Sequence, residues 1–185
     1  FFIRIGNLVK SKLSYFYMFK YNRIWIVGGS GSGKTYLAKR LSELLKINNY
    51  ELDDILWVKK WTIQRSKFLM MKKLKEIVAK RKWIIDGISS SWIEPGIKKA
   101  DLVILLHVPA RTIIWRLFLR HLKCRIKGLS EKWNDFIKLT KFSIAYKKGN
   151  ATSLRHRKLI KKHSLKVVVI QNKRSYNKLI IDIIK

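Results

Sequence analysis

The chain is short of acid, of cysteine and of long apolar runs, and each shortage excludes something. Only 11 of its 185 residues are Asp or Glu, against 42 Lys or Arg. Acid is therefore scarce enough that any carboxylate beside a motif carries information. The single cysteine, Cys124, excludes a disulfide framework within the chain and reads as a small core residue. No apolar run approaches the length of a membrane span. The uninterrupted apolar stretch and small-residue cleavage site of a secretory signal are also missing near the start. The four histidines and the lone cysteine lack metal-ligand spacing. No G-x-S-x-G nucleophile elbow occurs, and nothing resembles a helix-turn-helix, zinc finger or single-strand-binding barrel.

What is present is enough for one folded core. Hydrophobic residues make up 48% of the chain and seven are Trp, a composition that excludes disorder. The net charge of +31 attracts phosphates, nucleic acid and anionic membrane surfaces, or else reflects drift in a Lys- and Ile-rich composition. Residues 1–20 are aromatic and basic and precede the first strand, with Met18 reading as a native start. They are expected to form a poorly ordered extension, with a surface-lying membrane anchor as the alternative. The protein is expected in the cytoplasm, with oligomeric state left open.

Apolar runs alternate with helical spacing along the rest. Arg23–Val27 reads as a buried strand ending in Gly28. Leu37, Ala38, Leu41, Leu44 and Leu45 then repeat at helical intervals through Gly33–Ile47, and the helix stops near Asn48. Further strands are expected at Tyr50–Asp53, Lys82–Asp86, Asp101–Val108 and Lys166–Ile170. Helices are expected at Lys67–Lys80, Arg111–Lys123, 130–147, 152–163 and Ser175–Ile184. Strands alternating with helices, several of them apolar throughout, predict one α/β domain over 21–185, its parallel sheet wrapped by helices on both faces.

Gly28-Gly29-Ser30-Gly31-Ser32-Gly33-Lys34-Thr35 fits G-x-x-x-x-G-K-[ST] in full, between a strand and an amphipathic helix. The glycines let backbone N–H groups converge on phosphate oxygens without a Cβ in the way. The helix start adds its positive dipole end. Lys34 is placed to reach the β- and γ-phosphates, and the Thr35 hydroxyl to coordinate Mg²⁺. Together these residues predict a cradle for a nucleoside triphosphate with Mg²⁺. Asp86 closes the run Trp83-Ile84-Ile85 ahead of Gly87 and is assigned to the metal through its water shell. Asp53 and Asp54 follow the second strand on the ligand side of the sheet, where one of them serves either an acceptor hydroxyl or a helix cap. Arg116 and Arg120 lie four residues apart on one helical face, suited to a multiply charged phosphoryl group in flight or to a solvated basic face.

These pieces also resemble known proteins. Asp101–Pro109 followed by Arg116 and Arg120 resembles the strand and lid-proximal helix of adenylate-kinase-like enzymes. With Leu52-Asp53, Leu56-Trp57, Trp61 and Trp83–Gly87, the order and spacing resemble the bacterial DNA topology modulation proteins from about residue 22 to 172. The resemblance implies a P-loop NTPase three-layer fold, nucleoside-monophosphate-kinase-like, with a five-stranded parallel sheet and the P-loop strand at its centre. It implies ATP as donor. The residues themselves assign catalysis to Lys34, Arg116, Arg120 and Asp53, and a short lid to 121–130, which contains Gly128 and is rich in Lys and Arg. Within the resemblance, His107 departs from the pattern as a structural residue, and Ile88 stands where the family commonly has Asn. Gly96 falls about where an acceptor-side Arg is expected. Trp57 and Trp61 read either as a stacking wall for an acceptor or as core.

Two functions follow. The first is a kinase moving a γ-phosphoryl from Mg·ATP to a nucleotide-like or other small acceptor. The second is a nucleic-acid-associated ATPase using the basic surface for non-specific binding. A GTPase switch is excluded, because guanine recognition after the last strand would need Asp where Ser175 follows Asn172-Lys173-Arg174.

Overall fold

The computed structural model describes residues 20–59, 62–89, 91–126 and 133–184. The expected extension, Trp61 and the second part of the expected lid lie outside the described residues, apart from Lys20.

Strand β1 (Arg23–Gly28) occupies the middle of a five-stranded parallel sheet. It is flanked by β5 (Trp83–Asp86) and β6 (Leu102–Leu106), with β2 (Asn49–Glu51) and β7 (Val167–Ile170) outside them. The register pairs Ile26 with Asp86 on one side and with Ile104 on the other. Side chains alternate across a strand, so β1 feeds both faces of the sheet. Trp25 and Val27 enter a core with Leu74, Trp83, Ile93 and Ile97, whereas Ile24 and Ile26 meet Leu37, Leu41, Leu179 and Ile183. A strand buried on both faces has no polar side, which is why β1 reads Ile-Trp-Ile-Val without alternation.

Helices α1 (Lys34–Leu45) and α8 (Lys173–Ile184) cover the second of these faces. The first is covered by α3 (Lys67–Val78), the single turn α4 (Glu94–Ile97) and, through Leu159, α7 (Ala151–Lys162). A third small core of Val108, Ile113 and Leu117 joins α5 (Ala110–Ile126) to Phe136 and Leu139 of α6 (Trp133–Lys148). Asp101 ties the sheet's other end: its carboxylate accepts from the backbone N–H groups of Asn22 and Arg23 and from the Arg23 guanidinium.

The three-layer α/β architecture and central P-loop strand are as the sequence predicts. Two details differ. The second strand ends at Glu51, and Asp53 and Asp54 belong to the first turn of a short helix, α2 (Leu52–Leu56). Three residues of parallel pairing suffice to join β2 to β5, after which acid at a helix start is favourable. The helix expected to end at Lys123 runs on to Ile126 as α5, into the first part of the expected lid, and the rest of that segment lies outside the described residues. The sequence also gave no sign of the antiparallel pair β3 (Trp57–Lys59) and β4 (Ile63–Gln64). Short two-stranded pairings lack the length for a periodic signal.

Candidate functional site

The site is assembled at the carboxyl ends of β1 and β5, where parallel strands deliver their loops to one edge. Gly28 leaves β1, and the chain turns through Gly31 (φ 73°) and Gly33 (φ 99°) into α1. A Cβ on Gly31 would lie 2.8 Å from the Leu117 side chain, and one on Gly33 3.0 Å from the Arg116 guanidinium. The cradle is thus glycine-lined both because its backbone is left-handed and because α5 packs directly against it.

Lys34 and Thr35 open α1 and point toward the ends of the neighbouring strands. The Lys34 ammonium donates to the Gly29 carbonyl at 3.0 Å. Thr35 Oγ1 donates to Asp86 Oδ2 at 2.9 Å, joining two residues 51 positions apart. Asp86 is buried, and its Oδ1 has no hydrogen-bond partner among the described residues. Ser32 Oγ, inside the loop, is in the same state. Buried polar atoms without partners are costly unless something else satisfies them. A hydroxyl beside a carboxylate with a spare oxygen is a donor set suited to hard, oxygen-loving Mg²⁺. The residues therefore fit a magnesium–nucleotide pair.

Electrostatics bind the cluster together. Burial lowers the Lys34 pKa from 10.5 to about 8; Asp86, Asp53 and Glu51 oppose the change, and Arg120 reinforces it. Burial raises that of Asp86 from 3.8 to about 6, against the Thr35 hydrogen bond and Lys34, with Glu51 and Asp53 adding to the rise. Both groups are thus poised near neutrality. If the reaction needs an ionised Asp86 and a charged Lys34, kcat/KM for ATP rises with pH through about 6 and falls through about 8. A profile flat across both limbs would show that neither ionisation matters.

Arg116, Arg120 and Asp53 lie around this cluster, whereas Asp54, Trp57 and Gly96 do not. Arg116 donates to the Ser32 carbonyl at 2.8 Å. Arg120, one turn further along α5, is within electrostatic reach of Lys34. Asp53 reaches both Lys34 and Asp86. Asp54 instead borders a shallow cleft with Tyr50, Lys73 and Glu76. Trp57 is half-buried on β3 and belongs to none of the core clusters. Gly96 is buried in α4 against the Trp25 ring, where a Cβ would come within 2.7 Å. It faces the core rather than a ligand. Gly96→Arg is therefore expected to prevent folding rather than to add an acceptor contact, read as loss of soluble protein and of a cooperative melt.

Sequence reasoning missed four neighbours. Glu51 shares the Lys34 field from the end of β2. Arg65 donates to the carbonyls of Asp54, Ile55 and Trp57, holding the end of the helix that carries Asp53. Ser143 of α6 is fully buried against Gly29, where a Cβ would meet its Cβ at 3.2 Å. His156 of α7 lies with Nδ1 2.8 Å from the Tyr146 hydroxyl and Nε2 3.0 Å from the Ser89 carbonyl. A carbonyl only accepts, so Nε2 carries the proton and Tyr146 donates to Nδ1. Burial lowers the His156 pKa, in keeping with a neutral ring. Glu51, adjoining Leu52-Asp53, was within reach of the carboxylate argument; the other three lie on segments without a local motif.

No protein-family model matches the chain. Over 87 residues it is 32% identical to the uncharacterized protein YqaC of Bacillus subtilis (strain 168), a match covering 46% of this chain and 49% of that protein. The chain thus spans about half the length of that curated relative. Among solved structures, shikimate kinase from Acinetobacter baumannii in complex with shikimate superposes with a TM-score of 0.57 at 16% identity, covering 88% of this chain and 93% of that one. Shikimate kinase from Bacteroides thetaiotaomicron gives 0.49 at 14% identity, over 86% and 96% of the two chains. The Acinetobacter likeness is one of fold, and it agrees with the strand order found here: a P-loop, nucleoside-monophosphate-kinase-like α/β domain.

Proposed function

We propose that this protein is an ATP-dependent phosphotransferase acting on a small acceptor. The observation that carries the reading is the Thr35–Asp86 pair, set beside Lys34 at the mouth of a glycine cradle on the central strand. When bound, Mg·ATP supplies a γ-phosphoryl whose charge spreads over three oxygens during transfer. The backbone N–H groups of Gly29–Lys34 and the start of α1 hold the phosphate tail. Lys34 leaves the Gly29 carbonyl for the β- and γ-phosphates, and Arg116 leaves the Ser32 carbonyl in the same way. Arg120 adds a second guanidinium from the same helix, so that developing charge meets fixed cations in a partly dry site. Thr35 and Asp86 would hold the metal, Asp86 through its water shell, and the ion would neutralise charge on the phosphates. Asp53 orients the acceptor hydroxyl and takes its proton.

The acceptor is the open part of the reading. The Acinetobacter neighbour is a shikimate kinase bound to shikimate, so small hydroxy acids belong beside nucleosides and nucleotides as candidates. The resemblance to DNA topology modulation proteins rests on sequence motifs, and no contact among the described residues calls for nucleic acid. Incubation with γ-labelled Mg·ATP tests both readings. One arm holds nucleoside monophosphates, nucleosides and small hydroxy acids; the other holds duplex DNA. Label on one small acceptor supports the kinase and identifies its class. Label released only as inorganic phosphate, faster with DNA, replaces it with a nucleic-acid-associated ATPase.

A further inference from the structure

Helix α5 is apolar on two opposite faces, and among the described residues only one of them is packed into the fold. Ile113, Leu117 and His121 are buried at intervals of four, facing the cradle and α6. On the opposite side Trp115, Leu119, Leu122 and Ile126 follow one another at intervals of four, three and four, which places them in one stripe. All four are exposed: Trp115 by 60%, Leu119 by 37%, Leu122 by 39% and Ile126 by 85%. A surface helix ordinarily turns polar residues outward, so an outward apolar stripe signals something that covers it.

The flanks indicate what that is. The helix contains Arg111, Arg116, Arg120, Lys123 and Arg125 and no acidic residue. Arg111, Lys123 and Arg125 are exposed and border the stripe by their helical angle. The chain as a whole carries +31. A second copy would set one acid-free cationic helix against another, with mutual repulsion. Nucleic acid would satisfy the cations and leave the stripe in water. An anionic bilayer satisfies both at once: headgroups meet the Arg and Lys side chains, while Trp115 and the aliphatic residues enter the headgroup–acyl boundary.

We infer that the outward face of α5 docks this protein on an anionic membrane surface. The inference does not depend on the phosphotransferase reading, because the stripe points away from the cradle. It is tested by co-sedimentation of the full chain at physiological ionic strength. The vesicles are phosphatidylcholine alone, or phosphatidylcholine mixed with phosphatidylglycerol. Wild type is expected to pellet with the mixed vesicles only. The double variant Trp115→Gln/Ile126→Gln keeps the net charge and alters two well-exposed positions, so it is expected to fold and melt as wild type. Its partition onto mixed vesicles is expected to fall by about tenfold or more, a decade corresponding to about 1.4 kcal/mol. Its ATP turnover in solution is expected to be unchanged. Equal partition of variant and wild type would reduce the attraction to charge alone and overturn the inference. A wild type that stays in the supernatant, or a self-association lost in the variant, would overturn it equally. A second readout is independent of the variant. Lipids brominated near the headgroup should quench tryptophan emission of wild type, and the absence of quenching also counts against insertion.

Discussion

Lys34→Ala is expected to lower ATP turnover by about two to three orders of magnitude, the usual cost of losing one preorganised charge at a transition state. The folded state should survive. Lys34 sits at the first turn of α1, where alanine is a good helix former, and the core of that helix is Leu37, Ala38, Leu41 and Leu45. The stability effect has a pH dependence whose sign is fixed by the ammonium's surroundings. Burial holds its pKa at about 8, against 10.5 when exposed, so the charged form is disfavoured on folding. Between those values the unfolded chain binds more protons, and wild-type stability gains with rising pH relative to the alanine variant. Below about 8 the variant escapes the full desolvation cost, offset by the lost hydrogen bond to Gly29, about 1 kcal/mol. The difference in Tm, variant minus wild type, should therefore shrink between pH 8 and 10.5. Turnover equal to wild type would remove Lys34 from the chemistry. A Tm difference that widens over that window would remove the desolvation argument.

Asp86→Asn is expected to separate stability from function in a single variant. The carboxylate is buried, and burial lifts its pKa to about 6 from 3.8. At neutral pH folding must hold an anion where the neutral acid is preferred. Asparagine keeps an oxygen for the Thr35 hydroxyl and removes the charge, so the variant should be more stable at pH 7, by about 1–3 kcal/mol. The sign follows from the raised pKa: as pH falls from about 6 to 3.8 the folded wild type takes up its proton first, and the advantage of the variant disappears. Activity should move the other way. A neutral amide holds the water shell of Mg²⁺ less firmly, and turnover should fall by about 10–100-fold, partly recovered by raising Mg²⁺. The loss also removes one of the carboxylates that sustain the Lys34 charge, so the basic limb of the pH profile should shift toward neutrality. Calorimetry across pH and turnover titrated with Mg²⁺ check the two halves. Lower stability at neutral pH together with undiminished turnover would contradict both.

The cradle was legible because its requirements are local. Eight consecutive residues carry the glycines, the lysine and the hydroxyl, and a strand before and a helix after are read from neighbouring side chains. Asp86 was legible for a related reason, since a carboxylate closing an apolar strand ahead of Gly87 has few uses. Arg116 and Arg120 were legible as a pair, because spacing on a helix converts directly into a shared face. Gly96 shows where that reasoning stops. Its place in the pattern directed attention to an acceptor, whereas the fold uses it to bring α4 against Trp25.

The sequence by itself determined the five strands of the main sheet, the long helices and the class of architecture, because each depends on side chains within one turn or one strand; the short helix α2 and the pair β3 and β4 escaped it. Only the tertiary structure decided which of two adjacent aspartates comes within electrostatic range of Lys34, that Ser143 closes on Gly29, and that His156 joins Tyr146 to the Ser89 carbonyl. It also decided that one apolar face of α5 is left uncovered by the described residues. Those outcomes depend on how helices pack across the sheet, which joins residues far apart in the chain. A pattern of apolar positions says which face of a helix turns inward, but not which distant atoms it will meet there.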